Sequence, residues 1–184
     1  MAENEFGYTR WGMDWVRLAE PLRSTRPEPL LPRARSIARN GGVRAVIDGR
    51  VVRATIQRGG QASVTHLEVA APGRDARAAV AGLVPDPALL GDDAHAALRA
   101  AGIDPAPVLA ATDCSCAARK ERCVHLLALC YELARQVDAD PALALRVGGF
   151  LDPASGEPED VAAAPRRWIP LDAMDAEGWF DAPP

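Results

Sequence analysis

Apolar positions recur along this chain with two different periods, and the changes of period divide it into elements. In "TRWGMDWVRLAEPL", residues 9–22, Trp11, Trp15 and Leu18 fall at spacings of four and three, one face of a short helix that Pro21 stops. The next stretch, "RSTRPEPLLPRARSIARNGG", carries Pro27, Pro29 and Pro32 ahead of Arg33, Arg35 and Arg39 and predicts an extended, basic loop closing on Gly41-Gly42. From Val43 the period becomes two. Val43, Ala45 and Ile47 alternate with polar or exposed positions, Asp48-Gly49 is a preferred two-residue hairpin turn, and Gly59-Gly60 leads into a third strand near residues 62–69. These three runs predict a small antiparallel meander.

Helical spacing returns after residue 74. "GRDARAAVAGLV" is one helix, and beyond Pro85 and Pro87 "PALLGDDAHAALRAAG" is a second that ends at Gly102. In "CVHLLALCYELARQV", Leu126, Leu129, Cys130 and Leu133 make one apolar stripe of an amphipathic helix, and "DADPALALRVGGF" adds a short helix starting near Asp140-Pro141. The fold class expected is α+β, a small antiparallel meander with packed helices. Its regions are 1–102, 103–150 with a metal-stapled finger, and an acidic tail at 151–184 whose Pro, Ala and acid content predicts disorder.

Composition narrows the classes. The 184 residues suit one ordinary domain, with or without a tail, and no run of eighteen apolar residues spans a membrane. The N-terminus lacks the charged-then-apolar order of a secretion signal, so a cytoplasmic protein is expected. Net charge is −4, yet residues 1–60 carry eleven Arg against six acids while residues 61–184 carry ten basic groups against nineteen acids. That asymmetry predicts a basic face on an acidic molecule.

The densest chemistry is "CSCAARKERCVH", residues 114–125. In a reducing compartment, thiols this close are more often metal ligands or catalytic groups than disulfides. Cys114 and Cys116, two apart in an extended segment, project from one side. On a helix, residues 123 and 125 would diverge by about 200°, so Cys123 is expected at or before the N-cap with His125 in the first turn. All four then reach one point, a tetrahedral Cys3His site that suits one Zn²⁺ per chain and leaves no open position. The helix N-terminus and the nearby Arg119, Lys120 and Arg122 favour the thiolates. A catalytic Cys–His pair lacks a partner acid in register, and Cys130 on the apolar stripe reads as core.

The pattern C-x-C-xₙ-C-x-H entering an apolar helix resembles the SWIM-type zinc finger. "WGMDWVRLAE", "LPRARSIARNGGV", the strand pairs and "QVDADPALALRVGGF" extend the resemblance over roughly residues 6–150, to a bacterial SWIM-finger family encoded beside a helicase-like ATPase of the chromatin-remodelling type. The chain departs from that family at Ile37, where an aromatic is usual, and at Val124, where a basic residue is common. The resemblance implies zinc at Cys114, Cys116, Cys123 and His125, and a helicase-type protein or DNA as partner.

Outside the cluster the signals are thinner. Arg33, Arg35, Arg39 and Arg44 read either as a solvated loop or as a phosphate-contacting patch, with Arg50, Arg53 and Arg58 on adjoining strands. His66 and His95 have no ligand-spaced neighbours and are expected at the surface or the core edge. No phosphate-cradling glycine motif occurs, so a conventional ATPase is excluded and no small-molecule substrate is expected. In the tail, Trp179 and Phe180 among acids are either a partner-docking peptide or a cap folded back on the core. The function these features predict is a non-enzymatic zinc-binding adaptor; the alternative is a thiol redox switch in which oxidation releases zinc.

Overall fold

The computed structural model describes residues 5–22, 28–58, 60–118 and 122–151. Trp179 and Phe180, Arg119, Lys120 and nearly all of the acidic tail lie outside them. The chain is α+β. Its helices are α1 (Arg10–Ala19), α2 (Leu31–Arg39), α3 (Arg74–Leu83), α4 (Asp92–Ala100), α5 (Val124–Ala139) and α6 (Ala142–Val147). Strands β1 (Val43–Asp48), β2 (Val51–Arg58), β3 (Gln61–Val69) and β4 (Leu109–Cys114) form one antiparallel sheet in chain order.

The meander therefore has four strands rather than three. β4 joins β3 from Thr65↔Cys114 to Val69↔Leu109, with an irregularity between Glu68 and Val69. Its sequence, LAATDC, shows none of the β-branched alternation that marks β1 to β3, because β4 is an edge strand that buries little. The turn between β1 and β2 is also one residue later than expected: Asp48 pairs with Val51, so Gly49 and Arg50 are the loop residues, and Gly49 takes a φ of 53°.

A larger correction concerns residues 31–39. The extended basic loop is instead helix α2. Pro32 sits in its first turn, where an amide N–H has no helical partner to lose. Ala34 and Ala38, four apart, bury one face. Proline density favours coil, but only Pro32 lies inside the element, at the position a helix tolerates. The helix expected from Pro87 likewise starts only at Asp92, since Pro87–Leu89 is a single 3₁₀ turn.

α5 is the centre of the molecule. It packs against α1 and α2 on one side and against β1, β3 and β4 on the other. Val52, Ala54 and Ile56 of β2 and Leu67 and Val69 of β3 turn inward toward the same core. Twelve of the sixteen α5 residues are buried, so the single stripe read from its sequence is only part of a nearly all-round interface. Trp11 and Trp15 are core residues as expected, each about 1% exposed.

The "WGMDW" segment docks α1 on two neighbours at once. Trp11 donates from Nε1 to the Gly91 carbonyl at 3.0 Å and meets the His95 ring edge-on. Asp14, buried, lies 2.7 Å from Nε2 of His95 and accepts from Arg17 at 2.9 Å. His95 is thus enclosed between α1 and α4. At the other end Asp138 of α5 accepts from the amides of Gly7 (2.6 Å) and Thr9 (3.0 Å) and from the Thr9 hydroxyl (2.7 Å), while Thr9 caps α1 through the Gly12 amide. Gly12 permits this approach, because a Cβ there would lie 2.0 Å from Oδ1 of Asp138.

That clash gives a test. Gly12→Ala must push Asp138 away from the amides it satisfies, which leaves buried donors unpaired. We expect a loss of about 2–4 kcal/mol in urea unfolding. Gly82→Ala, at an exposed interior position of α3 with nothing within 4 Å of the added Cβ, should hold the parent's stability or raise it by up to about 1 kcal/mol.

Candidate metal centre

Two elements bring the four residues of the cluster together. β4 ends at Cys114, held in register opposite Thr65 of β3, and the chain bends at Cys116 just beyond it. Ser115 extends the pairing by one residue, its amide donating to the Val64 carbonyl and its side-chain Oγ accepting from the Val64 amide, both at 2.9 Å. On the helical side Cys123 is the N-cap of α5 with extended backbone (φ −85°, ψ 163°), and His125 follows in the first turn. Both helix-side placements agree with the positions expected from spacing.

Cys114, Cys116, Cys123 and His125 place one ligand atom each within 4.8 Å of the others. Sγ of Cys114 stands 3.8 Å from Nδ1 of His125. A tetrahedral ion with metal–sulfur bonds of about 2.3 Å and a metal–nitrogen bond of about 2.0–2.1 Å spaces its ligand atoms by about 3.5–3.8 Å. Closing the cluster onto such an ion requires shifts of about 1 Å or less. The residues present therefore can hold a metal ion, and three sulfurs with one imidazole are a soft donor set.

Local hydrogen bonds already favour thiolate character at one end. Burial works against the Cys114 thiolate, but the Thr65 hydroxyl at 3.4 Å, the Cys116 backbone and the neighbouring thiols outweigh it, so its pKa lies below that of an ordinary thiol. Cys123 is different. Burial pushes it up to about 11, only partly offset by the Leu126 amide, which donates to its sulfur at 3.4 Å. A cation held between the four residues would supply the charge that burial withholds. Cys130 is buried in the core, and burial pushes its thiol up to about 12, consistent with a packing role.

Thr65 and the Leu126 amide are not legible in the sequence as parts of the centre. Thr65 reads as one more strand residue until the β3–β4 register places it beside Cys114. Arg122, expected to favour the thiolates, instead donates to the Leu18 and Ala19 carbonyls at the end of α1. Its sequence neighbourhood gives no hint of that partner.

The arginines of the basic segment are separated by the fold. Arg35 pairs with Glu20 and donates from Nε to the Tyr131 hydroxyl at 3.1 Å, while its guanidinium lies 5.5 Å from the Tyr131 ring centre. Arg39 pairs with Glu5 in a fork-to-fork contact. Arg33 is exposed on α2, and Arg44 is exposed on β1, where it faces away from α5 beside Thr55. Two of the four thus hold carboxylate partners within the chain, at the rim of a cavity of about 330 Å³ floored by Phe6, Met13 and Val16.

Comparison with known proteins adds no relative: no family model, curated protein or solved structure matches the chain. No helix among the described residues is long and apolar enough to cross a membrane.

The high thiol pKa at Cys123 sets a pH dependence. Below about 11 that thiol is protonated without a cation, so metal binding expels at least one proton and affinity falls as pH falls. Between pH 8 and 6 the logarithm of the metal association constant should drop by about one unit or more per pH unit. Competition titration with a chromophoric chelator measures it. Cys123→Ser should weaken binding and shallow the slope.

Proposed function

We propose that this chain is a non-enzymatic adaptor built around one structural Zn²⁺, which contacts DNA, a helicase-type ATPase partner, or both. The observation that carries the reading is the convergence of Cys114, Cys116, Cys123 and His125 within 4.8 Å of one another. Four protein ligands fill a tetrahedral shell, and a filled shell supports a staple rather than a catalytic ion, which keeps one position for substrate. The ligands come from the end of β4 and the start of α5, so the ion ties the sheet edge to the central helix. The resemblance of "CSCAARKERCVH" to a SWIM-type finger, with its associated helicase-like ATPase, supports the choice of partner class.

The decisive measurement is metal content with a stability readout. Freshly purified chain should carry one zinc, and chelation should remove it with loss of α5 helicity by circular dichroism. Structural zinc in small fingers contributes about 10–16 kcal/mol, so a chelated protein with an unchanged spectrum refutes the staple.

The DNA arm has its own test. Because Arg35 and Arg39 are held by Glu20 and Glu5, phosphate contacts fall to the exposed Arg33 and Arg44. Changing these two to Ala should flatten the dependence of log K on log salt by about 0.9 for each phosphate no longer neutralised, with an unchanged melting curve. Equal slopes would assign the adaptor to protein partners alone.

A second reading, a redox switch, is favoured by one feature: Cys114 is half-buried and its pKa is lowered beside two further thiols. Peroxide would oxidise two of these thiols to a disulfide, with two waters formed and zinc released. Retention of zinc under mild peroxide eliminates it.

A further inference from the structure

β4 is an edge strand, and a groove runs beside its inner face. Leu18, Leu109, Arg122, Leu126, Leu127 and Cys130 line a space of about 570 Å³ between β4, α1 and α5, with Thr112 at its β4 side. Three residues of the strand's middle, Ala110, Ala111 and Thr112, are exposed, and so is Val108 just before it. The ladder fixes which backbone groups are open. Ser115 bonds with Val64, so by antiparallel alternation Asp113 and Ala111 face β3 while the N–H and C=O of Thr112 point away from it. Thr112 lies opposite Leu67, whose side chain points into the core, so the open backbone groups and the groove belong to the same position.

An open edge beside a groove floored by leucines takes an extended segment with apolar residues two apart. The chain carries one in its C-terminal stretch. Gly149 packs against the Arg50 and Pro72 side chains, the Arg50 carbonyl accepts from the Val69 amide, and Val69 pairs with Leu109, which places Gly149 on the side of the fold where β4 begins. Beyond it stands "RRWIPLDAM", residues 166–174. Ile169 lies eighteen positions after Leu151. That length spans at most about 60 Å, against about 20 Å for the six residues of β4.

We propose that residues 168–171 add to the β4 edge and seat Ile169 and Leu171 in the groove. Directly opposite residues share a face, so an Ile169 or Leu171 bonded to Thr112 turns its side chain toward Leu126 and Leu127. Pro170 then falls at the alternate position, where its backbone nitrogen faces away from β4 and its missing N–H costs nothing. The same segment in the other parity would put Pro170 against Thr112 and lose the bond. This contact lies outside the metal ligands and stands independently of the zinc reading.

The test uses the full chain and the double variant I169D/L171D. In the parent, the Thr112 amide should exchange with solvent about tenfold or more slowly than in the variant, and methyl contacts from Ile169 or Leu171 to Leu126 or Leu127 should appear by NMR. A synthetic peptide of residues 164–176 added to the variant should restore Thr112 protection, while the same peptide carrying both Asp changes should not. Metal content should match in parent and variant, which separates failure here from failure of the metal centre. Equal Thr112 exchange in both chains, or absence of the methyl contacts in the parent, overturns the proposal. Protection that rises with protein concentration also overturns it, and assigns the edge to a second copy.

Discussion

The burial of α5 is the constraint on which the rest of the molecule depends. A helix enclosed on nearly all sides gains much from the apolar area it removes from water, but its polar ends cannot be left to solvent. Each end is tied to a distant part of the chain. At the N-terminus, Cys123 accepts from the Leu126 amide and stands with His125 beside Cys114, which Thr65 orients from β3. Near the C-terminus, Asp138 gathers the amides of Gly7 and Thr9 and brings α1 alongside. Glu132, also buried, is held on the helix itself by Arg135 and Gln136.

This arrangement explains why small changes of residue type matter at positions without chemistry of their own. Gly12 is a glycine because a carboxylate occupies the space of its Cβ. Tyr131 reaches past the core to Glu20, and that contact draws Arg35 out of any solvated patch. Charges that look available in the sequence are consumed in joining α1, α2 and α5. The electrostatic asymmetry between the first sixty residues and the rest therefore overstates the free positive surface, since an arginine paired with a carboxylate, even at the surface, contributes less net field than an unpaired one.

The Cys/His cluster and the open β4 edge are adjacent consequences of one topology. β4 ends in Cys114, Cys116 lies just beyond it, and Cys123 and His125 stand at the start of α5. A metal held by these four would hold the last strand in place against β3 without covering its outer side. The edge beside the groove is then a separate surface, presented by the same element.

What the sequence by itself determined was local. The spacing of Trp11 and Trp15, the alternation from Val43 to Ile47, the apolar stripe of α5 and the Cys-x-Cys and Cys-x-His pairs each report a periodicity of 3.6 or 2, and the structure carries all of them. The placement of Cys123 at the N-cap followed from the angle between residues two apart on a helix, which no tertiary contact can alter. What only the tertiary structure decided were matters of partner choice. Helix α2 is hidden in the sequence because the number of prolines points to coil while their positions permit a helix, and its stability comes from Ala34 and Ala38 packing inward. β4 is hidden because an edge strand needs no apolar alternation; its identity comes from pairing with β3. The fates of Arg35, Arg39, Arg122 and His95 depend on Glu20, Glu5, the end of α1 and Asp14, which are distant in sequence and meet only when α5 is enclosed.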